Sequence, residues 1–233
     1  IILTDGEQES KGHAKDANQY MNKSSSIPTS SKGDQQITNH KVLIWEPSVD
    51  GLSYNQIHTG DQIANIFSSS SINFEINHLK KEQCTISSLT DLTQYGCVYI
   101  KAHGSTVKND QGEDLCWIVT GEKCSNNTSN SNVGETIVVS VAELYYDNTE
   151  QVKKFRKYDP TWRVSNKFIS NKVNGVFDSP AGVFVQACHS FDNSSMKNAF
   201  IKDKHASAYL GYEHSVTHQF GYEKGVEFVC NMV

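Results

Sequence analysis

The fold is decided by the stretch Gly182-Val-Phe-Val-Gln-Ala-Cys-His-Ser190, a short apolar run that ends in a cysteine. Residues 183–185, Val-Phe-Val, have the β-branched and aromatic character of a buried central strand in a parallel sheet. The small side chain of Ala187 leaves room at the strand end. Cys188 is then the first residue after the strand that can do chemistry.

A second stretch has the same design upstream, Cys97-Val-Tyr-Ile-Lys-Ala-His-Gly-Ser105. This apolar run ends in His103 and Gly104. The separation of 85 residues (188 − 103) rules out local contact, but parallel strands bring their carboxyl ends to one edge of a sheet. Ligands bind at that edge in open α/β sheets. We therefore expect a cysteine–histidine pair there.

The first half of the chain alternates predicted strands and helices. Apolar periodicity predicts strands at 41–45, 72–79 and 97–102, with helices at 54–68 and 86–93 between them. This β-α-β-α-β order predicts an α/β fold whose central sheet is mostly parallel, with right-handed crossovers.

The second half is less regular. The sequence predicts a polar loop over 105–135, a strand at 136–141, a helix at 143–158, a strand or hairpin arm at 168–173, a helix at 194–202, a strand at 206–212 and a terminal helix capped by Ser215. The long loop is either a flap that shapes the substrate site or a disordered insertion.

Composition limits the function classes. A net charge of −5 and a pI of about 6.0 give no electrostatic reason to expect nucleic acid or acidic membranes as partners. No apolar run approaches the roughly 18–20 residues that span a bilayer. Residues 1–39 contain polar, serine-rich runs and are predicted to be a flexible leader, followed by a single domain over 40–233. The chain opens without a methionine, as a processed or trimmed product would, so the absence of a signal peptide says nothing about export. Localisation stays open at this point, with a secreted or cell-surface protein favoured.

The six cysteines are too sparse for a disulfide scaffold. Cys116 and Cys124 flank a possible hairpin turning near Gly121, so a local disulfide is one option. A bond between Cys84 and Cys97 is another, and sequence alone does not choose between these pairings.

A thiol and an imidazole at neighbouring strand ends are the components of nucleophilic catalysis. The thiol is a weak nucleophile until a partner takes its proton, and histidine suits that task because its pKa lies near working pH. Gly104 has no Cβ, so its N–H can approach a substrate carbonyl closely. With the N–H of Cys188 it would form an oxyanion hole, in which each donor is worth about 3–4 kcal/mol.

These motifs resemble a known group of enzymes. His103-Gly104 after one strand, and Gln186-Ala187-Cys188 after a later one, are similar to the caspase–gingipain–clostripain clan of cysteine peptidases. The resemblance covers roughly residues 41–230 and implies a caspase-like, three-layer α/β/α fold. It also implies that Cys188 is the nucleophile and His103 the base that later protonates the leaving amine. No cofactor is implied, and the partner is a peptide or protein substrate.

Four further residues are candidates for contact with substrate. By the resemblance, Gln186 lines the pocket for the side chain that precedes the scissile bond, and its neutral amide leaves specificity open. Trp117 lies in the predicted flap, while Asp178 and Glu213 could line the pocket. His189 is interpreted as a loop residue.

No metal site is predicted. His214 and His218 have the i, i+4 spacing of a shared metal site on a helix, but no third ligand stands at a diagnostic spacing.

Two other functions are open at this point. One is a caspase-fold binding module that keeps the scaffold without turnover. The other is a flavodoxin-like domain that binds a small ligand, which is disfavoured because residues 46–50, Glu-Pro-Ser-Val-Asp, replace a glycine-rich phosphate loop after the first strand.

Overall fold

The computed structural model describes residues 2–3, 37–47, 59–109, 111–124, 136–139, 142–147, 152–157 and 161–233. Its strands are β1 (Ile2–Leu3), β2 (Lys41–Glu46), β3 (Glu75–Lys80), β4 (Cys97–Lys101), β5 (Gly104–Lys108), β6 (Asp114–Lys123), β7 (Thr136–Val139), β8 (Ala142–Asp147), β9 (Val152–Lys157), β10 (Thr161–Ser165), β11 (Gly182–Gln186) and β12 (Ala208–Tyr212). Its α-helices are α1 (Thr59–Ser69), α2 (Asn166–Lys172), α3 (Ser195–Asn198) and α4 (His218–Cys230). Short 3₁₀ turns occupy Lys81–Gln83, Ser87–Leu89 and Leu92–Gln94, and a π-helical turn, Ala199–Asp203, continues α3.

The central sheet has the strand order β1-β12-β11-β4-β2-β3, and every pairing in it is parallel. Strands β4 and β11 lie in its middle and are buried along their whole length. Continuous apolar runs suit such strands because both faces of a parallel sheet are covered. The predicted parallel α/β sheet is confirmed.

Helices cover both faces of this sheet, which gives three layers. On one face, α1 and α4 pack against a cluster that includes Ile44, Tyr99 and Phe184. On the other, α2, α3 and the 3₁₀ turns pack against Leu43, Ile100 and other buried side chains. The alternation of side chains along each strand assigns neighbouring residues to opposite layers.

A second, antiparallel sheet follows β4 directly, in the order β5-β6-β10-β7. Strands β8 and β9 form a separate antiparallel hairpin. The chain therefore passes from the central sheet into the small sheet at residues 102–103. This junction places the predicted histidine where the two sheets meet.

The predicted 105–135 loop is wrong for its described part. Residues 104–108 and 114–123 form strands β5 and β6, and the apolar island 115–119 is the buried centre of β6. Cys116 and Cys124 therefore belong to one strand and the residue after it, not to the two arms of a hairpin. All six cysteines, each within the described residues, are outside disulfide bonds.

The helix predicted at 143–158 is also wrong, because β8 and β9 pair from Ala142 with Lys157 to Asp147 with Val152. Tyrosine, valine and phenylalanine in these segments favour strands. The spacing of apolar residues was interpreted as helical, but the pairing of β8 with β9 makes both segments strands.

The strand or hairpin arm predicted at 168–173 is instead helix α2. Its start is fixed by Ser165, whose side-chain oxygen accepts hydrogen bonds from the N–H groups of Lys167 and Phe168. A serine N-cap of this kind satisfies donors that a helix end leaves free.

The remaining elements lie near their predicted positions. Helix α1 covers 59–69, and residues 48–58, including the predicted start of that helix, lie outside the described residues. The helix predicted at 86–93 is present as two 3₁₀ turns. Helix α4 begins at His218 and is capped by Thr217 instead of Ser215. His214 therefore precedes the helix, and the two histidines do not share a helical face.

The predicted leader falls mostly outside the described residues. Within 1–39, Ile2–Leu3 forms strand β1 beside β12, and 37–39 have no regular structure. Among the helices in the described part of the chain, none combines the length and the apolar character that crossing a membrane requires.

Candidate active site

The two predicted strand ends are neighbours. Strands β4 and β11 pair in register from Cys97 with Gly182 to Lys101 with Gln186. The Ala102 N–H then donates to the Gln186 carbonyl oxygen over 3.2 Å. His103 and Cys188 each follow the last paired residue by two positions. Both therefore lie at the carboxyl edge of the sheet, on adjacent strands.

Backbone packing brings these two segments into direct contact. A Cβ placed on Gly104 would lie 2.4 Å from the Cys188 carbonyl oxygen and 2.9 Å from the Cβ of Ala187. Only a residue without a side chain fits between the start of β5 and the cysteine. The glycine after the histidine is therefore required by the approach of Cys188.

The N–H of Gly104 is directed out of its own sheet. Gly104 lies opposite Ile118 in the antiparallel β5–β6 pair, and the Val119 N–H donates to the His103 carbonyl oxygen over 2.9 Å. Gly104 and Ile118 therefore form a non-hydrogen-bonded pair, in which neither N–H faces the other strand. Because β5 is the edge strand of its sheet, this N–H is placed to serve a ligand.

The Cys188 thiol is half-buried and faces the loop before α4. Its sulfur lies 3.4 Å from the backbone nitrogen of Val216, whose N–H it accepts, and 3.9 Å from the Val216 carbonyl oxygen. A backbone N–H directed at sulfur stabilises negative charge that develops there. His103 is also half-buried, so both candidate catalytic side chains have partial access to solvent.

The turn after Cys188 is tied to β12 through Ser190. The Ser190 hydroxyl donates to the Val185 carbonyl oxygen and accepts the Tyr212 N–H, each over 2.9 Å. The Tyr209 hydroxyl donates to the Ser190 carbonyl oxygen over 2.7 Å. Ser190 is fully buried and holds the turn that carries the cysteine. Sequence reasoning did not single it out, because a serine in a turn carries no distinctive signal.

His189 lies in this turn in a left-handed conformation, with φ of 58°. Its Nε2 is 3.3 Å from the Ser215 hydroxyl, and its Nδ1 is 3.4 Å from a carboxylate oxygen of Asp192. The second distance allows an ion pair when the ring is protonated, but its geometry is not that of a hydrogen bond. The backbone N–H of His189 donates to the His214 carbonyl oxygen over 3.1 Å. Its surroundings agree with the interpretation of a loop residue.

Gln186 is not placed to line a pocket in this structure. Its side chain is 4% exposed and accepts a hydrogen bond from the Tyr99 hydroxyl through Oε1. A Cβ on Gly221 of α4 would lie 2.4 Å from its Nε2. The amide therefore fills the space between the sheet and the terminal helix.

The other three predicted contact residues differ in position. Glu213 is half-buried and follows β12 at the carboxyl edge, on the same side of the sheet as Cys188. Asp178 is exposed and precedes β11. The N–H of the neighbouring Phe177 donates to the carbonyl oxygen of Lys204, which precedes β12. Asp178 therefore lies at the amino edge of the central sheet, opposite the edge that carries Cys188. Trp117 is in the centre of β6 and is 2% exposed, not in a flap.

A buried charged group at the same edge was missed by sequence reasoning. Glu46, the last residue of β2, accepts a hydrogen bond from the Lys101 ammonium over 2.8 Å. Its other contacts, each at 3.4 Å, are the His78 Nε2 and the Gly60 N–H at the start of α1. Burial alone would raise the pKa of Glu46, but the His78 contact and the Lys101 charge outweigh it and lower that pKa. The only available signal was a glutamate at the end of an apolar run.

Comparison of this chain with models of protein families, with curated proteins and with solved structures found no match. What the site can do therefore rests on its geometry. The carboxyl edge of the central sheet carries the Cys188 thiol, the His103 imidazole and the Gly104 N–H, which does not bond within the β5–β6 pair. These are the components that acyl transfer requires.

Proposed function

We propose that this protein is a cysteine endopeptidase of the caspase-like type that hydrolyses peptide bonds through Cys188 and His103. The observation that carries the proposal is the packing of Gly104 on the Cys188 backbone, where a Cβ would be 2.4 Å from the carbonyl oxygen. This contact holds the residue after the imidazole against the residue that bears the thiol. It supports the proposal because it keeps the two segments that carry the candidate catalytic side chains next to each other.

In the first half of the reaction, His103 accepts the thiol proton and the Cys188 sulfur attacks the substrate carbonyl carbon. The resulting oxyanion accepts hydrogen bonds from the N–H groups of Gly104 and Cys188. The carbon–nitrogen bond then breaks, and His103 gives its proton to the leaving amine. The product of this half is a thioester on Cys188 and a free amino terminus.

In the second half, a water molecule takes the place of the amine. His103 accepts a proton from it, and the hydroxide attacks the thioester carbonyl. Collapse of the second tetrahedral intermediate releases the carboxylic acid, and the sulfur regains the proton from His103. The cycle needs no cofactor, and the proposed partner is a peptide or protein.

One observation favours a second candidate, a caspase-fold binding module without turnover. Both polar groups of the Val216 backbone lie against the Cys188 sulfur, at 3.4 and 3.9 Å. A segment that remained in this position would keep substrate from the thiol. The two candidates differ in whether Cys188 can be alkylated at neutral pH.

The test measures cleavage and alkylation together. A peptide library and iodoacetamide are offered to the wild-type protein and to its Cys188→Ala, His103→Ala and Cys230→Ala variants. We expect the first two variants to lose cleavage and the third, a half-buried cysteine in α4, to keep it. Cleavage that persists in Cys188→Ala would exclude the peptidase mechanism. Absence of both cleavage and Cys188 alkylation in the wild type would favour the binding module.

A further inference from the structure

One face of the small sheet collects hydrogen-bond donors that the fold leaves unused. Trp117 of β6 lies directly opposite Ser105 of β5, and Arg163 of β10 lies opposite Val119, two residues further along β6. Side chains two apart on a strand, and those directly opposite, point to the same face. Ser105, Trp117 and Arg163 therefore share one face.

Two of these side chains contain buried donors without an acceptor. The indole N–H of Trp117 has no hydrogen-bond partner although the residue is 2% exposed. The Nε of Arg163 is likewise buried and unpartnered. Leaving such a donor without an acceptor is unfavourable, so unpaired buried donors in a native fold require an explanation.

The Arg163 guanidinium reaches across β6 toward the edge strand. Its Nη1 donates to the Ser105 hydroxyl oxygen over 2.9 Å. This leaves the Ser105 hydroxyl proton available to a further acceptor, because a hydroxyl donates once and accepts twice. The register of β6 against β10 shifts between Thr161 and Arg163, and such irregularities re-aim side chains.

The positive charge on this face has no counter-charge among the described residues. Burial lowers the pKa of Arg163, and no carboxylate in the described part of the chain forms an ion pair with it. The acidic residues at the far end of the hairpin are engaged elsewhere: Asp114 pairs with Lys108, and Glu113 with Lys167. Arg163 is half-buried, so its charge is partly removed from water without an ionic partner among the described residues, and an anionic ligand would supply that partner.

This donor set lies beside the candidate catalytic base. The β5–β6 ladder extends to His103 through the hydrogen bond from the Val119 N–H, so His103 precedes Ser105 by two residues on the same face. Ser105, Arg163 and His103 are half-buried, while Trp117 is buried. The set therefore lies on the same face of the small sheet as His103.

We propose that Arg163, Ser105 and Trp117 form a carboxylate-binding subsite that takes an acidic side chain of the substrate on the leaving-group side of the scissile bond. This inference rests on the proposed peptidase function, in which His103 protonates the leaving amine and so faces that part of the peptide. A guanidinium fork matches a carboxylate in two parallel hydrogen bonds, and the hydroxyl and indole N–H complete its shell.

The first experiment measures binding, so that it does not depend on turnover. Pools of eight-residue peptides, randomised except for one position fixed as Glu or as Gln, are titrated against the Cys188→Ala protein by fluorescence anisotropy. We expect the Glu pool to bind at least about 10-fold tighter than the Gln pool at one of the positions. Equal affinities of the Glu and Gln pools at every position would overturn the subsite.

Variants then assign that difference to the donors. Arg163→Gln should bring the Glu-to-Gln affinity ratio close to one, and Trp117→Phe, which keeps an aromatic ring but removes the indole N–H, should reduce it. Lys108→Gln is the control. It removes a positive charge from β5, the strand of Ser105, where Lys108 pairs with the exposed Asp114, and it should leave the ratio unchanged. A ratio that survives Arg163→Gln would overturn the assignment. A general loss of stability would weaken both pools alike and leave the ratio intact.

Cleavage by the wild-type protein locates the subsite relative to the bond. In matched peptides, Glu in place of Gln after the scissile bond should raise kcat/KM by about 10-fold, while the same change before the bond should not. A preference confined to the residues before the bond would contradict the proposed position. If no peptide is cleaved but the Glu pool still binds more tightly, the peptidase proposal fails and the carboxylate site stands.

Discussion

The carbonyl oxygen of Cys188 occupies the place where a side chain on residue 104 would begin, since a Cβ on Gly104 would lie 2.4 Å from it. The two residues are 84 positions apart in the chain (188 − 104), and the β4–β11 register brings them together. A backbone carbonyl cannot move aside as a flexible side chain can. The contact therefore couples the start of the small sheet to the turn that carries the cysteine.

Gly104→Ala should separate these two segments while it leaves both candidate catalytic side chains in the protein. We expect the proposed peptidase activity to fall by roughly 10²–10³-fold, the cost of losing one oxyanion donor, together with a lower melting temperature. Gly182→Ala is the control, because its Cβ would meet the flexible end of Met232 at 3.3 Å and nothing closer. Full activity in Gly104→Ala would show that the contact is dispensable.

The thiols should fall into two groups in the native protein. Burial raises the pKa values of Cys84, Cys97 and Cys116 to about 12 each. A thiol with such a pKa presents almost no thiolate at pH 7.5 and is inert. We expect iodoacetamide to modify only Cys124, Cys188 and Cys230 before unfolding, and all six in denaturant, as measured by peptide mass spectrometry. Native-state modification of Cys97 would contradict the burial that the structure gives it.

Ser190→Ala should destabilise the protein, whereas Ser195→Ala should not. The first change removes the hydrogen bonds that the Ser190 hydroxyl makes with the Val185 carbonyl oxygen and the Tyr212 N–H, at a cost of about 1–3 kcal/mol. The hydroxyl of Ser195 is buried but has no partner, so its removal deletes an unsatisfied group. Urea unfolding of both variants measures the difference. Equal losses would mean that the Ser190 bonds do not hold the turn.

The Glu46–Lys101 pair should make stability depend on pH in the acid range. The pKa of Glu46 is lowered in the folded protein, so its contribution is fully present above the unfolded value of about 4.3. It is lost as pH falls through the lower, folded value. Glu46→Gln, which leaves the Lys101 ammonium buried and uncompensated, should cost about 3–5 kcal/mol at pH 7.

The measurement for Glu46 is the difference in unfolding free energy between wild type and Glu46→Gln at pH 7, 5, 4 and 3. That difference should shrink toward acid pH. Glu75→Gln serves as the control, because the Glu75–Lys41 pair is exposed and loosely held at 3.8 Å, and such pairs contribute about 0–1 kcal/mol. A difference for Glu46→Gln that is small at pH 7, or that does not change with pH, would contradict the role of the pair.

The sequence allowed the central strands and the edge of the site to be predicted. Strands β4 and β11 are continuous apolar runs, and runs of that length between turn residues fit few other structures. Their parallel pairing then places His103 and Cys188 at the carboxyl edge of the sheet, independently of the conformation of the loops. For this reason the predicted placement of both residues at one sheet edge is confirmed.

The misplaced features depend on partners that a local pattern does not contain. Helix α2 begins because the Ser165 hydroxyl caps it, and a short apolar run without the cap resembles a strand. Gln186 was expected in a pocket, but its amide meets Tyr99 and Gly221, residues far away in the chain. Burial of Glu46 likewise depends on Lys101 and His78, which only the folded sheet brings near.

Strands β4 and β11 lie in the middle of the central sheet, and each is hydrogen-bonded to a strand on both sides. This position determines how the site should behave when the protein unfolds. The His103 imidazole and the Cys188 thiol follow the two central, fully buried strands, so fraying of peripheral segments would not move one away from the other. Amide protons of both strands should exchange only through global opening. On heating, any function of this edge should disappear together with the core rather than before it.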